Sequence, residues 1–435
     1  MAWKIIIILA TTVLIYARAT RCGYVSDDLP AERRRVDKKT GKDEAIWQSS
    51  PSGKPKYDHL LSIIVHAVCA CFIYTALGAN DISFMAALLF AANPVNNQAT
   101  VWISGRHYAW CGLFMMMSMT CVWSAPFAMI AATVHPTAFF APFGFIGSAR
   151  WYLIFFLPIV WFIHYKHLKT EVTSRRGNET VAFDRKLSWE KLIIAIKIYG
   201  FYFGLCVVPF TLTFYHAFMQ SGAGGGNDIM KKKAIRLDWC FWLGLSLIGY
   251  LLYSAIFNWT PISWGIFWYS CAIAPYLNLF RMQQEIAERY CYIANIGVMF
   301  ALANILPFPV YCFVFGIYVA RLMIYIPAYT DDYWLIEHSV TEDPAAWFVW
   351  YIRAHKRWQQ QSYREALNMW VMAKMLSPKE FKILYNIAIV LKFLKRDGES
   401  LEYMKMAEAN IIPGQEKTAE VLINNYKRGK YHLLI

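Results

Sequence analysis

The sequence predicts an all-α protein, in which a polytopic membrane bundle of about eleven helices precedes a C-terminal domain of helical repeats. Of 435 residues, 57% are hydrophobic and only 17% are charged, whereas a soluble protein has about 25% charged residues. Apolar segments recur up to about residue 330, and the composition then becomes charged with a helical period. This balance excludes a disordered chain, a fibrous chain and an ordinary soluble enzyme.

The membrane domain is predicted over residues 1–330, and residues 19–58 form its first extracytoplasmic loop. Prolines interrupt several apolar segments, and broken helices are tolerated in membranes where the freed backbone faces protein or a wet cavity. The number of crossings therefore lies between about nine and twelve. The apolar segments are 5–17, 60–79, 82–93, 107–125, 127–148, 151–165, 191–216, 239–257, 262–280, 291–306 and 307–327.

The formal net charge of +14 raises nucleic acid as a partner in a soluble protein. In an apolar chain we assign this charge instead to loops that lie against anionic lipid headgroups. The 18 Trp and 27 Tyr residues agree, because amphipathic rings settle at the membrane interface. We therefore expect an integral membrane protein whose partners include membrane lipids but not nucleic acid.

The last part of the chain, residues 331–435, is predicted to be a soluble repeat domain. One helical unit begins at Tyr363 and ends at Pro378, and a second unit ends at Pro413, 35 positions later. This resembles the tetratricopeptide repeat, whose period is 34 residues; a plain bundle of helical hairpins is the alternative. Because such repeats present a concave surface to peptides, we expect residues 340–435 to bind a protein.

Four polar clusters interrupt the membrane domain, where ionisable residues are costly and therefore candidates for function. If successive apolar segments cross the membrane in alternating directions from the first helix, all four clusters lie on the same side of the membrane as the repeats. The alternatives are a solvated Asp pair, an interfacial His59 with a hydrogen-bonded core His66, and snorkelling arginines. The clusters are Asp27 with Asp28, His59 with His66, the segment of Asn93, Gln98 and Arg106, and the segment of Glu288, Arg289 and Tyr292.

The same residues resemble the motifs of a known family. Residues 57–106 resemble the pattern H-x-x-N-x-x-x-H followed by F-A-x-H-P-V-x-x-E-A-V-x-W-I-x-G-R. Residues 287–292 resemble a later A-E-R-Y-x-Y segment, and residues 23–28 resemble a first-loop acidic motif. Together with the terminal repeats, these motifs resemble the transmembrane and tetratricopeptide-repeat O-mannosyltransferases and their bacterial relatives.

The resemblance implies a GT-C membrane fold that transfers a sugar from a polyprenyl-phosphate donor to a protein hydroxyl. The transfer would occur at the non-cytoplasmic face of a bacterial inner membrane or the endoplasmic reticulum. Asp27 or Asp28 would be the general base, Arg106 and Arg289 would hold the donor phosphate, and the other cluster residues would complete the substrate site. A divalent metal between the acidic pair and the phosphate is compatible with this chemistry, but we assign no metal ligand.

Several positions depart from the family pattern. Asn93 replaces a histidine and Gln98 replaces a glutamate, so hydrogen bonding is kept while charge and proton transfer are removed. Ser62 and Tyr108 also differ from the pattern. These changes leave open a non-catalytic membrane assembly subunit that binds its partner through the repeats. A transporter is the third hypothesis, and it is disfavoured because the sequence shows no inverted repeat.

The predicted orientation depends on the order of the motifs, which places the repeats on the non-cytoplasmic side. The positive-inside rule favours the opposite orientation, because the loop over residues 19–58 is rich in lysine and arginine. Asn178 begins a glycosylation sequon in a loop that we expect to be cytoplasmic and therefore unmodified.

Overall fold

The computed structural model of the chain describes residues 1–28, 52–120, 124–139, 188–214, 216–217, 236–279, 286–411 and 416–433. Within these residues the regular elements are all helices, which confirms the predicted all-α class. The described α-helices are α1 (Ala2–Tyr16), α2 (Pro55–Ala76), α3 (Asp81–Ala92), α4 (Asn97–Thr100), α5 (His107–Thr120), α6 (Ser124–Val134), α7 (Trp189–Val207), α8 (Trp239–Phe257), α9 (Pro261–Ile273), α10 (Cys291–Ile305), α11 (Phe308–Tyr325), α12 (Asp332–Glu342), α13 (Trp347–Gln359), α14 (Tyr363–Leu376), α15 (Phe381–Phe393), α16 (Asp397–Glu408) and α17 (Glu416–Lys427).

Four helical stretches of the described chain are long and apolar enough to cross a membrane, which agrees with an integral membrane protein. Other apolar helices are shorter, such as α3 with 12 residues and α9 with 13 residues, whereas a straight crossing needs about 20 residues. The predicted segments 127–148 and 151–165 lie partly and wholly outside the described residues, so the count of eleven stays a prediction. The four stretches are Ala2–Arg21, Pro55–Ala76, Trp239–Phe257 and Phe308–Tyr329.

Proline ends two apolar helices earlier than their hydropathy suggests. The segment predicted over 191–216 is helical only to Val207, because Pro209 lies directly beyond it. The segment predicted over 262–280 likewise stops short, and Pro275 lies in a following 3-10 turn. Proline lacks the N–H that continues a helix and its ring clashes with the preceding turn. The freed segment after α7 is therefore available to contact the polar clusters.

Two helix pairs of the bundle pack with their backbones in contact at glycines. Where α9 crosses α10, a Cβ atom on Gly265 would lie 2.5 Å from the carbonyl oxygen of Gly297. Gly200 of α7 and Gly244 of α8 make an equally close crossing. Small residues let membrane helices approach closely. These crossings hold α7 and α10 in place, and both helices border the candidate site described below.

We expect Gly297→Ala to destabilise the bundle by about 1–3 kcal/mol, the usual cost of overpacking, because the new methyl group would force α9 and α10 apart. The measurement is the unfolding temperature of the detergent-solubilised protein. Gly249→Ala is the matched control, since a Cβ atom there meets nothing within 4 Å and alanine favours the helix. An equal fall in unfolding temperature for both variants would contradict the close crossing.

The start of α12 packs against the first loop and the end of α11. The Gly23 N–H donates to the carbonyl of Thr330 at 2.9 Å, and the Ser26 N–H donates to the Asp332 carboxylate at 2.7 Å. Leu335 of α12 belongs to the hydrophobic core of the bundle. The helix that opens the predicted C-terminal domain is therefore packed into the membrane bundle, next to the acidic first loop.

The helices from α13 to α17 form antiparallel hairpins with a constant period. α13 begins at Trp347 and α15 begins at Phe381, 34 positions later. The turn after each of α13, α15 and α17 contains a residue with positive φ, namely Gln361, Lys395 and Gly429. These residues are also 34 positions apart and have φ values of 61°, 60° and 75°. A left-handed residue commonly ends a helix, so the same turn recurs at each repeat.

Candidate functional site

Asp28 fastens the first loop to the segment that follows α4. Its side chain is fully buried. Its Oδ1 accepts hydrogen bonds from the N–H and the hydroxyl of Ser104, both at 2.7 Å, and its Oδ2 accepts one from the Ile103 N–H at 3.3 Å. Burial raises the pKa of Asp28 to about 6, against the opposing effect of these hydrogen bonds. The backbone of Asp27 belongs to the same 3-10 turn, but its side chain lies outside the described residues.

Asp58 and Arg106 form a buried ion pair beside this loop. The Arg106 Nη1 lies 3.2 Å from the Asp58 Oδ1, and the two side chains are 4% and 5% exposed. The Asp58 Oδ2 accepts hydrogen bonds from the Tyr24 hydroxyl at 2.6 Å and the Ser52 N–H at 2.8 Å. Asp58 was not among the predicted site residues, although its position directly before His59 in the motif is a signal that pointed to it. The predicted phosphate ligand Arg106 thus has an acidic partner inside the protein.

The two predicted histidines lie two turns apart on α2 and have different surroundings. His59 Nε2 lies 3.1 Å from the carbonyl oxygen of Gly23, which joins α2 to the first loop. His66 lies deeper, where its Nδ1 accepts from the Tyr292 hydroxyl at 2.7 Å and its Nε2 donates to the Ala91 carbonyl at 3.2 Å. The carbonyl can only accept, so the proton belongs to Nε2. His66 and Tyr292, both predicted to bind substrate, are therefore hydrogen-bonded to each other inside the bundle.

The two amides that replace ionisable family residues each use their nitrogen and their oxygen. Asn93 donates to the carbonyl of Cys206 at 2.7 Å and accepts from the Val95 N–H at 3.0 Å. Gln98 donates to the carbonyl of Thr213 at 3.2 Å, and its oxygen accepts from the residue described next. A carboxylate only accepts hydrogen bonds, so Gln98 makes a contact to Thr213 that an ionised glutamate does not make.

Arg289 is held over two aromatic rings. Its guanidinium carbon lies 5.1 Å from the ring centres of both Trp102 and Tyr290. Its Nη1 donates to the Gln98 Oε1 at 3.4 Å, and the Tyr108 hydroxyl is a further hydrogen-bonding partner. These contacts hold the guanidinium in a defined position between the two rings.

Glu288 ties the segment after α7 to α11. Its Oε1 accepts from the Thr213 N–H at 2.5 Å and lies 3.3 Å from the His216 Nε2, while its Oε2 accepts from the Tyr325 hydroxyl at 3.0 Å. The side chain is fully buried, and this burial raises the pKa of Glu288 although His216 acts in the opposite direction. Glu288 therefore connects the segment after α7 to α11, a structural role that the motif alone does not predict.

Residues of two of the four clusters come near the hydroxyl of Tyr329. This hydroxyl lies within electrostatic reach of Asp28, Glu288 and Arg289 and 3.1 Å from that of Tyr325. Tyr329 was not predicted from the sequence, because nothing local distinguishes it among 27 tyrosines. The name polar layer is used below for Asp28, Asp58, Arg106, Glu288, Arg289 and Tyr329.

The divalent metal predicted between the acidic pair and the phosphate stays a prediction, because the side chain of Asp27 lies outside the described residues. Among the described residues, no group of three His, Cys, Asp or Glu side chains is placed to hold a metal ion. Both oxygens of Asp28 already accept hydrogen bonds from Ser104 and Ile103. We therefore route no chemical step through a metal.

Comparison with protein-family models, with curated proteins and with solved structures finds no match to this chain. The family resemblance indicated by the motifs therefore stays a prediction.

Proposed function

We propose that the chain is an integral-membrane glycosyltransferase that moves a sugar from a polyprenyl-phosphate donor to a protein hydroxyl. The observation that carries this proposal is that one short segment contacts both the cation and the acidic first loop. Arg289 lies over the ring of Trp102, and the next two residues, Ile103 and Ser104, donate hydrogen bonds to Asp28. The reaction needs a carboxylate that takes the proton of the acceptor hydroxyl. It also needs a cation against the departing phosphate. The polar layer and the adjoining Asp27 combine these groups at one end of the bundle.

The two acidic residues of the first loop have different roles in this proposal. Asp28 is buried and its carboxylate is occupied by Ser104 and Ile103, so we assign it to holding the loop in place. We assign Asp27 as the general base. It takes the proton as the acceptor oxygen bonds to the anomeric carbon of the sugar, while the bond from that carbon to the carrier phosphate breaks.

The two arginines also have different roles. Arg106 is paired with Asp58 in a buried ion pair, and we assign it to supporting the segment that anchors Asp28. The guanidinium of Arg289 is held in one position by the rings of Trp102 and Tyr290, and we assign Arg289 to the donor phosphate. A planar guanidinium donates two parallel hydrogen bonds to phosphate oxygens, which suits this role. His59, which contacts the first loop, completes the acceptor side of the site.

In this proposal the bundle is a GT-C-like domain and the hairpins are tetratricopeptide repeats on the same, non-cytoplasmic side of the membrane. The 34-residue period of the helices and of the left-handed turns supports the second assignment. The start of α12 packs directly against the first loop, so a protein held by the repeats lies near the acidic pair. The repeats therefore present the acceptor.

We expect Asp27→Asn, alone and combined with Asp28→Asn, to lower glycan transfer about 100-fold or more, because an amide does not take the acceptor proton. The measurement is the glycan occupancy of protein hydroxyls, by mass spectrometry, in cells with equal membrane levels of each variant. Asp397→Asn is the matched control, an exposed carboxylate of α16, and it should change nothing. Unchanged occupancy with folded Asp27→Asn protein would contradict the proposed activity.

The second candidate is a non-catalytic assembly subunit. It is favoured by the hydrogen bonds that the buried acidic side chains make within the protein. Asp28 and Glu288 both use their oxygens in contacts within the protein, as structural residues do. In that case a partner should remain bound in stoichiometric amount after purification in mild detergent, held through residues 340–435. Recovery of the chain alone, together with loss of transfer in Asp27→Asn, would exclude this candidate.

A further inference from the structure

Ser26 of the first loop has a left-handed backbone conformation, with a φ of 54°. This conformation is unfavourable for serine, because its Cβ atom comes too close to the backbone. Ser26 begins the short 3-10 turn that contains Asp27 and Asp28. A non-glycine residue stays in such a conformation only where its surroundings hold it there. The course of the chain into the acidic turn therefore depends on contacts from outside the loop.

The carboxylate of Asp332, at the start of α12, supplies such a contact. The Ser26 N–H donates to the Asp332 Oδ1 at 2.7 Å. The other oxygen, Oδ2, accepts from the Lys356 Nζ of α13 at 3.2 Å. A hydrogen bond to a charged acceptor is about twice as strong as one between neutral groups. Asp332 is therefore fixed by a cation on one side while it holds the loop amide on the other.

Asp27 lies directly between two attached residues. Ser26 before it is bonded to Asp332, and Asp28 after it is bonded to the Ser104 N–H at 2.7 Å. With both neighbours fixed, the backbone of Asp27 has little freedom to turn. A displacement of 1 Å at a reacting group can cost about 100-fold in rate. The two attachments therefore decide whether the Asp27 carboxylate starts from the right place.

We propose that Asp332 is a positioning residue for Asp27. It holds Ser26 in the left-handed conformation and thereby fixes the backbone from which the Asp27 carboxylate projects. This inference rests on the proposed function, since it assigns the geometry of the loop a role in proton transfer from the acceptor. Through Lys356, the same carboxylate links the acidic loop to α13, the first helix of the repeating hairpins.

Hydrogen exchange of residues 23–28 tests the attachment without a transfer assay. In the detergent-solubilised full chain, Asp332→Ala should speed deuterium uptake in this segment about 10-fold, as loss of one hydrogen bond to a charged group implies. Asp332→Asn should keep uptake slow, because its amide oxygen still accepts from Ser26. Glu337→Ala is the matched control, since Glu337 joins the same two helices through Arg353 at 2.7 Å. Equal uptake in Asp332→Ala and Glu337→Ala would overturn the proposal.

Transfer kinetics distinguish positioning from a purely structural role. With a polyprenyl-phosphate mannose as the probe donor, Asp332→Ala should lower kcat about 10- to 100-fold. KM for the donor should change little, because Arg289 keeps its contacts with the rings of Trp102 and Tyr290. Asp332→Asn should retain most of kcat. A raised KM with unchanged kcat in Asp332→Ala would overturn the proposal, as would an equal loss of kcat in both variants.

Ser26→Gly provides a rescue of the backbone conformation. Glycine adopts a positive φ without a steric penalty, so adding Ser26→Gly to Asp332→Ala should recover kcat several-fold. No recovery in the folded double variant would contradict the role of the left-handed residue. If Asp27→Asn leaves transfer unchanged, the proposed activity fails by itself. The exchange measurement then still decides whether Asp332 holds Ser26, so the two failures are distinguishable.

Discussion

Arg289→Gln is expected to lower the rate of sugar transfer about 100- to 1,000-fold, the usual loss when one preorganised donor to a developing negative charge is removed. Glutamine keeps a hydrogen-bond donor near Gln98 but removes the positive charge that opposes the departing phosphate. The rings of Trp102 and Tyr290 hold the guanidinium from two sides, so little rearrangement is needed as the phosphate charge develops. The measurement is the initial rate of transfer from a polyprenyl-phosphate sugar in isolated membranes.

In the same assay, Arg289→Lys distinguishes the effect of the positive charge from the effect of the planar guanidinium shape. Lysine keeps the charge but loses the planar fork and the stacking on Trp102 and Tyr290, so its rate should lie between those of the unmodified protein and Arg289→Gln. Arg396→Gln is the control, because this arginine is half exposed in the repeat domain and pairs with Glu399. A fully active Arg289→Gln variant, folded and present at normal level, would remove Arg289 from the phosphate site.

Arg106→Met is expected to lower the free energy of unfolding by about 3–5 kcal/mol, the typical cost of removing one partner of a buried ion pair. The loss arises because Asp58 would remain charged and buried without the cation, although Tyr24 and Ser52 would still donate hydrogen bonds to it. In the double variant Arg106→Met with Asp58→Asn, no buried charge remains, so much of this stability should return. The measurement is unfolding of the detergent-solubilised protein for all four members of the cycle.

A surface ion pair provides the comparison for this cycle. Lys392 is 26% exposed and its partner Asp397 is 71% exposed, and such pairs contribute about 0–1 kcal/mol. Lys392→Met should therefore have little effect on unfolding. If Arg106→Met costs no more than Lys392→Met, the Asp58–Arg106 contact is not the buried support of the first loop that we assign.

The all-α class and the repeat were predictable because their signals are local. Proline at position 307 ends one apolar run and begins the next, and α11 starts directly after it. The repeat appears in the sequence as paired proline positions, and in the fold as left-handed turns at Gln361, Lys395 and Gly429. Hydropathy alone overestimated the helix that starts at residue 191, because it does not register the backbone hydrogen bond that Pro209 removes.

The candidate site was predictable as a set of residues but not as a set of roles. Arg106 and Arg289 follow similar motif signals, yet one is paired with Asp58 and the other is stacked on aromatic rings. The partners Asp58 and Arg106 are 48 positions apart in the sequence, too far for a spacing argument to join them. The hydrogen bond between His66 and Tyr292 joins residues 226 positions apart, so neither motif could predict it.

By itself, the sequence determined that this is an apolar, all-helical chain with polar clusters in its membrane domain and a repeat of about 34 residues at its end. Those properties follow from composition, proline positions and periodicity, which act over a few helical turns. Only the tertiary structure decided that Asp28 is an anchor and that Arg106 is paired with Asp58. It also decided that Tyr329 lies within electrostatic reach of Asp28, Glu288 and Arg289. The reason is that the environment of a charge in a membrane bundle depends on which helices are neighbours, and helix packing joins residues that are far apart along the chain.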